Sequence, residues 1–177
     1  MEGLLTYEKY LEKVKVLNSP YWNRSYQIRW AYTEPVISEI KKIQPKTAIE
    51  IGTMQISMLA FSATMDLEQE RVDPENLKNP MYIGDSRITP WNIADKQYDL
   101  FLGLQVLEHL GPNQVDVFKE IRRISKRAIL TLPYMWNCPE DPEHHMITDA
   151  KILEWTCDTV PYKREEFNKR IMLCYEF

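Results

Sequence analysis

Acidic and polar residues follow several short apolar runs of this sequence, at the points where buried strands would end. Such side chains can bind the hydroxyl and amino groups of a small ligand, and a glycine among them lets a ligand approach the backbone closely. In an open sheet with parallel strands, ligands lie outside the carboxyl ends of the strands, so these residues would share one site. The candidates are Glu50, Gly52, Thr53, Asp73, Asp85, Ser86, Gln105 and Val106.

From Thr47 onward, short apolar runs alternate with helical patterns. The predicted strands are 47–52, 70–73, 81–85, 98–105 and 127–133, and the predicted helices between them are 56–65 and 114–125. Near-continuous apolar strands separated by helices are typical of a parallel sheet covered on both faces. The sequence therefore predicts an α/β fold with a doubly wound, Rossmann-like, mostly parallel sheet.

The flanking segments complete this domain. Apolar residues at helical spacing predict helices at 6–17 and 34–43, with Pro35 in the first turn of the second helix. The tail predicts a helix near 149–157 and a last strand at 170–177, which would form a short antiparallel edge. With no linker or repeat, we expect one domain over residues 1–177, made of a helical cap (1–46), a cofactor-binding core (47–135) and a substrate-side segment (136–177).

Composition limits the partners and the location. The net charge of −4 gives no electrostatic footprint for nucleic acid, and no apolar run approaches the length needed to cross a membrane. The N-terminal segment lacks the basic, apolar and small-residue order of a secretory signal, so a cytoplasmic location is expected. Three cysteines without CxxC spacing predict free thiols. Nothing in the sequence indicates an oligomeric state.

One ordered set of motifs resembles a known family. The series IEIGT, RVDPENL, YIGDSRITPW, YDLFLGLQVLEHLG, EIRRIS and AILTLP is similar to the class I S-adenosylmethionine-dependent methyltransferases, in the branch whose fourth strand ends in a vLeHl segment. The match covers roughly residues 47–135, and YDLFLGLQVLEHLG is its most specific part. The resemblance implies S-adenosylmethionine as the cofactor. The fingerprints of dinucleotide and nucleoside triphosphate sites, GxGxxG and GxxxxGK[ST], are absent.

The resemblance implies contacts on the first half of the cofactor site. Glu50 and Gly52, followed by Thr53, match the strand-to-helix turn that lies against the methionine part of the cofactor. Asp73 matches the acid that ends the second strand and accepts hydrogen bonds from the ribose hydroxyls. The residue-based alternative for Asp73 is a helix start, because it precedes Pro74.

The second half of the site follows the third and fourth strands. By resemblance, Asp85 would face the adenine amino group with Ser86 nearby, while Gln105 and Val106 would lie beneath the sulfonium. A lone aspartate after a strand is equally consistent with a turn residue or a helix cap. His109 in LEHLG is expected to orient a loop through a hydrogen bond.

The glycine-rich turn departs from the family pattern. Met54 and Ile56 place side chains where the family usually has none. Either Ile56 adopts an ordinary helical conformation, or the turn has a different shape, because a β-branched residue disfavours positive φ. Two functions follow: a methyltransferase acting on a small-molecule or sugar-like acceptor, or an inactive methyltransferase-like protein that serves as a binding or scaffold module.

The segment after the fifth strand, PYMWNCPEDPEHHMIT, is where an acceptor pocket is expected. Tyr134 and Trp136 would form its walls, and His144 or His145 would be the catalytic base. Adjacent histidines point in different directions, so no metal site is predicted here. The N-terminal aromatic residues are expected either to form a lid over the substrate or to pack against the sheet; they are Tyr21, Trp22, Tyr26, Trp30 and Tyr32.

Overall fold

A seven-stranded sheet forms the centre of the computed structural model, which describes residues 1–177. The strands are β1 (Ala48–Ile51), β2 (Ala63–Asp66), β3 (Met81–Ile83), β4 (Leu100–Leu104), β5 (Arg127–Pro133), β6 (Lys163–Phe167) and β7 (Arg170–Glu176). Their spatial order is β3-β2-β1-β4-β5-β7-β6; the first five strands are parallel, and β7 runs antiparallel to both of its neighbours, β5 and β6. The predicted mostly parallel sheet with an antiparallel C-terminal edge is therefore confirmed.

Helices cover both faces of this sheet. They are α1 (Tyr7–Leu17), α2 (Pro20–Asn23), α3 (Tyr26–Ile43), α4 (Gln114–Ile124) and α5 (Asp149–Trp155). One core packs α1, α2 and α3 against Leu100, Leu102 and Ile129, and the other packs α4 and α5 against Phe101 and Leu130. Because successive strand residues point to opposite faces, the continuous apolar strands supply both cores. No helix of the protein is long and apolar enough to span a membrane.

The connection between β1 and β2 differs from the prediction. No helix forms over 56–65, and β2 occupies Ala63–Asp66, where the end of that helix was expected. The Glu50 carboxylate accepts hydrogen bonds from the backbone N–H groups of Met58 and Leu59 and from the Ser62 hydroxyl. Since this side chain satisfies backbone donors that a helix would otherwise satisfy, the segment can cross to β2 without one.

The predicted strand at 70–73 is also wrong. Two short 3₁₀ turns, Gln69–Arg71 and Pro74–Asn76, occupy this region, and the Asp73 carboxylate caps the second by accepting from Glu75 N–H. The alternative interpretation of DPEN as a helix start describes the structure better.

The helix predicted at 34–43 corresponds to α3 and is longer than predicted. It begins at Tyr26, so Pro35 lies in its interior and not in its first turn. Pro35 has no N–H to donate to the preceding turn, yet the helix continues to Ile43 because its face packs against the sheet.

Candidate active site

A cavity of about 390 Å³ opens at the carboxyl ends of the parallel strands. Its walls come from the turn after β1, the ends of β2 to β4 and the N-terminal helices. This volume is within the range of small-ligand sites. The cavity brings together seven of the eight predicted cofactor residues: Glu50, Gly52, Thr53, Asp85, Ser86, Gln105 and Val106.

The turn after β1 has an unusual backbone. Gly52 has φ +64°, and a Cβ atom there would lie 2.9 Å from Cγ2 of Val106. Met54 and Gln55 also adopt positive φ, 48° and 72°, which costs energy in residues other than glycine. Ile56 has no positive φ and is buried, so the differently shaped turn is the alternative that the structure adopts. The Trp22 indole N–H donates to the Met54 carbonyl at 3.0 Å and helps to hold the turn.

Glu50 is buried at the base of this turn. Burial raises the pKa of Glu50 to about 7, and the hydrogen bonds from Met58, Ser62 and Leu59 act in the opposite direction. These three donors lie 2.7 to 2.9 Å from its oxygens. Glu50 therefore holds the β1–β2 connection in place beside the cavity through these hydrogen bonds.

The acid that ends the second strand is Asp66, and the sequence analysis missed it. Asp66 lies in the cavity wall, and its Oδ1 accepts from the backbone N–H of Leu67 at 2.8 Å. The other oxygen, Oδ2, is buried and has no hydrogen-bond partner. Burial also raises the pKa of Asp66. The apolar–polar–apolar order of Ala63, Thr64 and Met65 fits a strand as well as a helix. This pattern is the feature of the sequence that could have indicated a strand ending at Asp66.

Asp73, predicted to bind ribose, does not line the cavity. Its carboxylate accepts from Lys13 Nζ at 2.8 and 2.9 Å and from the Ser57 backbone N–H at 2.8 Å. The carboxyl group is 1% exposed. Asp73 thus ties α1 to the β1–β2 connection, because it binds a residue of each.

Asp85 and Ser86 line the cavity beyond β3, as expected from their position. The Arg87 guanidinium donates to both oxygens of Asp85, and this pairing lowers the pKa of Asp85. On the other side of β1, Gln105 ends β4 with φ +57° and donates to the Thr131 hydroxyl. The cavity therefore extends across the ends of four adjacent strands, from β3 to β4.

The N-terminal helices form an aromatic wall with a cation in it. Tyr21, Trp22 and Tyr32 line the cavity, whereas Tyr26 and Trp30 only pack against the core. The Arg29 guanidinium lies 3.9 Å from the Tyr21 ring centroid. Its hydrogen bonds go to the hydroxyls of Ser25 and Tyr32, which carry no charge. Arg29 is thus a cation of the cavity wall bound only to neutral oxygens.

The residues predicted to form the acceptor pocket lie outside this cavity. Neither His144 nor His145 lines the cavity, and neither do Tyr134 and Trp136. His145 Nδ1 accepts from the backbone N–H of Cys138, so this ring holds its own loop. The imidazole that does line the cavity is His109, whose Nδ1 pairs with Glu143. The LEHL segment that carries it is a 3₁₀ helix, Leu107–Leu110.

Three side chains of types that can ligate a metal meet at the edge of this region. Glu108, His109 and His144 each bring one ligand atom within 4.8 Å of the other two. Burial raises the pKa of Glu108 to about 8. The sequence of the loop around His144 gives no sign of this cluster, because Glu108 and His109 come from the segment after β4.

Comparison with solved structures places this architecture in a known fold. An S-adenosylmethionine-dependent methyltransferase from Clostridium acetobutylicum aligns with a TM-score of 0.67 at 12% identity, over 91% of this chain and 98% of that one. The chain has the class I methyltransferase fold. The 16S rRNA methylase RmtB aligns with a TM-score of 0.63 at 14% identity, over 99% of this chain and 76% of its own.

A third structure with the methyltransferase fold was solved with ligands. The N-terminal domain of EvdMO1, in the presence of S-adenosylhomocysteine and D-fucose, aligns with a TM-score of 0.57 at 10% identity, over 81% of each chain. At these identities the likeness concerns the fold. No protein-family model and no curated protein matches the sequence.

Proposed function

We propose that this protein is an S-adenosylmethionine-dependent methyltransferase whose cofactor binds in the cavity at the strand ends. The observation that carries this proposal is the free, buried Oδ2 atom of Asp66 in the cavity wall. A buried carboxylate oxygen without a partner is costly, and a ligand with hydroxyl donors would satisfy it. The ribose of the cofactor offers such donors, so Asp66 takes the role that the sequence had suggested for Asp73.

The other residues of the cavity fit the remaining groups of this cofactor. The Arg29 guanidinium is available for a carboxylate, because its present partners are neutral hydroxyls. Ser86 and the exposed flank of Asp85 are available to the adenine end, beside β3. Gly52 lines the cavity and carries no side chain, so the backbone after β1 can approach a ligand there.

Methyl transfer needs little chemical assistance from the protein. When bound, the cofactor would supply an electrophilic methyl group, with its sulfur leaving as the neutral thioether of S-adenosylhomocysteine and the proton of a hydroxyl acceptor passing to solvent. The chain would contribute mainly by orienting the acceptor in line with that methyl group and by excluding water. The residues that would do this work are Gln105 and Val106, which follow β4 in the cavity wall, and Trp22, whose indole N–H donates to the turn after β1.

We infer that the acceptor is a small molecule with a sugar-like hydroxyl. Two observations support this inference. The aromatic wall of Tyr21, Trp22 and Tyr32 suits the apolar face of a sugar ring, and the cavity has the volume of a small-ligand site. The structural neighbour solved with D-fucose is consistent with it. A nucleic-acid acceptor is less favoured because the net charge is −4.

A second candidate function is a binding module without turnover. The Met54 side chain supports it, because it lines the cavity at a turn where the family usually has no side chain. Such a protein would bind S-adenosylmethionine or S-adenosylhomocysteine and transfer no methyl group.

A methyl-transfer assay distinguishes the two candidates. The protein is incubated with isotopically labelled S-adenosylmethionine and a panel of monosaccharides and nucleosides, and products are identified by mass spectrometry. We expect labelled product with a sugar acceptor, strongly reduced in Asp66→Asn and unchanged in Asp116→Asn, a control on the exposed surface of α4. Cofactor binding with no product on any acceptor would support the binding module instead.

A further inference from the structure

The cluster of Glu108, His109 and His144 has the arrangement of a metal site. Nε2 of His109 lies 4.0 Å from Glu108 Oε1, and Nε2 of His144 lies 3.9 Å from the same oxygen. The two imidazole rings are 5.0 Å apart and nearly perpendicular. These distances exceed a direct hydrogen bond, so the three ligand atoms surround a gap and do not pair with one another.

The Glu108 carboxylate is the second observation that indicates a ligand. Its side chain is 0% exposed, and neither of its oxygens has a hydrogen-bond partner. Buried carboxylates in proteins are normally paired, hydrogen-bonded or bound to a metal. Both nearby Nε2 atoms lie beyond hydrogen-bond distance of this carboxylate, so neither imidazole satisfies it.

Two further carboxylates orient the imidazoles. Glu143 accepts from Nδ1 of His109, and Asp141 accepts from Nδ1 of His144. A carboxylate on Nδ1 fixes the proton there, which leaves the Nε2 lone pair free and directed toward Glu108. This carboxylate–histidine pairing is the usual support for histidine ligands of metals, because it sets the tautomer and increases the basicity of the ligating nitrogen.

We propose that Glu108, His109 and His144 bind one divalent first-row transition-metal ion at the edge of the cavity. Two imidazole nitrogens and one carboxylate oxygen suit zinc, cobalt, iron or manganese, whereas magnesium and calcium prefer sites made of oxygen atoms only. Metal–ligand bonds of about 2.0 to 2.2 Å separate tetrahedral ligands by about 3.4 Å. The observed distances of 3.9 and 4.0 Å therefore need to shorten by about 0.5 to 0.6 Å.

Three protein ligands leave at least one coordination position open, as in catalytic metal sites. His109 lines the cavity, so the open side of the ion would face it. The proposed ion would thus lie close to Gln105 and Val106, the two residues that follow β4. The site itself is inferred from the cluster alone and does not depend on the identity of the cofactor.

The test is a calorimetric titration of the full chain, first stripped with a chelator, with manganese, cobalt and zinc chlorides. We expect one site per chain for at least one of these ions. Glu108→Gln keeps the size of the side chain and removes the charge, and it should weaken binding by about a hundredfold or more. Glu154→Gln is the matched control, because it makes the same change on the exposed surface of α5, outside the cluster; its affinity should equal that of the original chain.

Folding is checked in the same experiment. Circular dichroism should show intact Glu108→Gln protein, and the ion should raise the melting temperature of the original chain but not of this variant. If Glu108→Gln does not fold, His144→Asn at a partly exposed position serves in its place. Absence of binding to the original chain at millimolar metal, or equal affinity in the cluster variant and the original, would overturn the proposal. Because S-adenosylhomocysteine binding is measured separately in chelator, its failure would count only against the proposed function.

Discussion

Replacing Asp73 by alanine separates a structural role from a cofactor role. The change removes the acceptor of the buried Ser57 N–H and the charge that Lys13 contacts at 2.8 Å. A buried donor left unpaired costs about 1 to 3 kcal/mol, and a lost hydrogen bond between charged groups about 1.5 to 3 kcal/mol. Together they predict a loss of about 3 to 5 kcal/mol in the free energy of unfolding, because Lys13 retains Glu75 as a weaker partner.

Guanidinium unfolding followed by tryptophan fluorescence measures this loss, since Trp22 lies on the helix next to the affected contact. A decrease of this size is a large part of the total stability of a domain, about 5 to 15 kcal/mol. The matched control is Glu75→Ala, which removes the exposed member of the same group. Its side chain is 44% exposed, so we expect a change below about 1 kcal/mol.

The opposite result would refute this reasoning. If Asp73→Ala unfolds at the same denaturant concentration as the original chain but loses affinity for S-adenosylhomocysteine, then Asp73 binds the ligand. The contact with Lys13 would in that case contribute nothing to the fold, and Asp66 would lose its proposed role.

Three further predictions concern other parts of the protein. Gly52→Ala should lower the free energy of unfolding by about 1 to 3 kcal/mol, because its Cβ would stand 2.9 Å from Val106; an unchanged denaturation midpoint would contradict this. Arg29→Gln should weaken S-adenosylhomocysteine binding by about tenfold in calorimetry with the fold unchanged, whereas equal affinity would remove Arg29 from the site. Pairing with Arg123 lowers the pKa of Glu120 from 4.5, so the stability that it provides is present above pH 4.5 and is lost as pH falls through its folded-state pKa. Glu120→Gln should therefore destabilise the protein at pH 7 and differ progressively less from the original below pH 4.5; a gap that stays constant in denaturation curves would argue against the pairing.

The sheet could be predicted from the sequence because its strands are short, apolar and buried on both faces. The runs ending at Ile51, Leu104 and Pro133 have no competing helical periodicity. The antiparallel C-terminal edge was similarly visible, and Asn168 and Lys169, with φ of 40° and 59°, form the turn that leads into its last strand. In these segments local pattern and tertiary packing require the same structure.

The β1–β2 connection could not be predicted in the same way. The segment ISMLAFSATM has apolar residues that fit a helix, but the tertiary contacts of Glu50 with Met58 and Leu59 outweigh that propensity. This error moved the predicted end of β2 from Asp66 to Asp73, so Asp73 was expected to contact the ribose. A local pattern cannot show that one carboxylate will bind a backbone eight residues away.

The cluster of Glu108, His109 and His144 illustrates a different limit. Glu108 and His144 are 36 positions apart in the sequence and approach only because the loop after β5 folds back over the segment after β4. No spacing rule within one helix or loop connects them. Only the three-dimensional structure brings both imidazoles to one buried carboxylate.

Calorimetric titration with S-adenosylhomocysteine, comparing the original chain with Asp66→Asn, tests the central claim most directly. We expect binding in the micromolar range for the original chain, about −8 kcal/mol, and affinity at least about tenfold weaker for Asp66→Asn. Equal affinity in both proteins would exclude Asp66 from the site. No heat of binding at millimolar ligand would show that the cavity at the strand ends does not hold this cofactor.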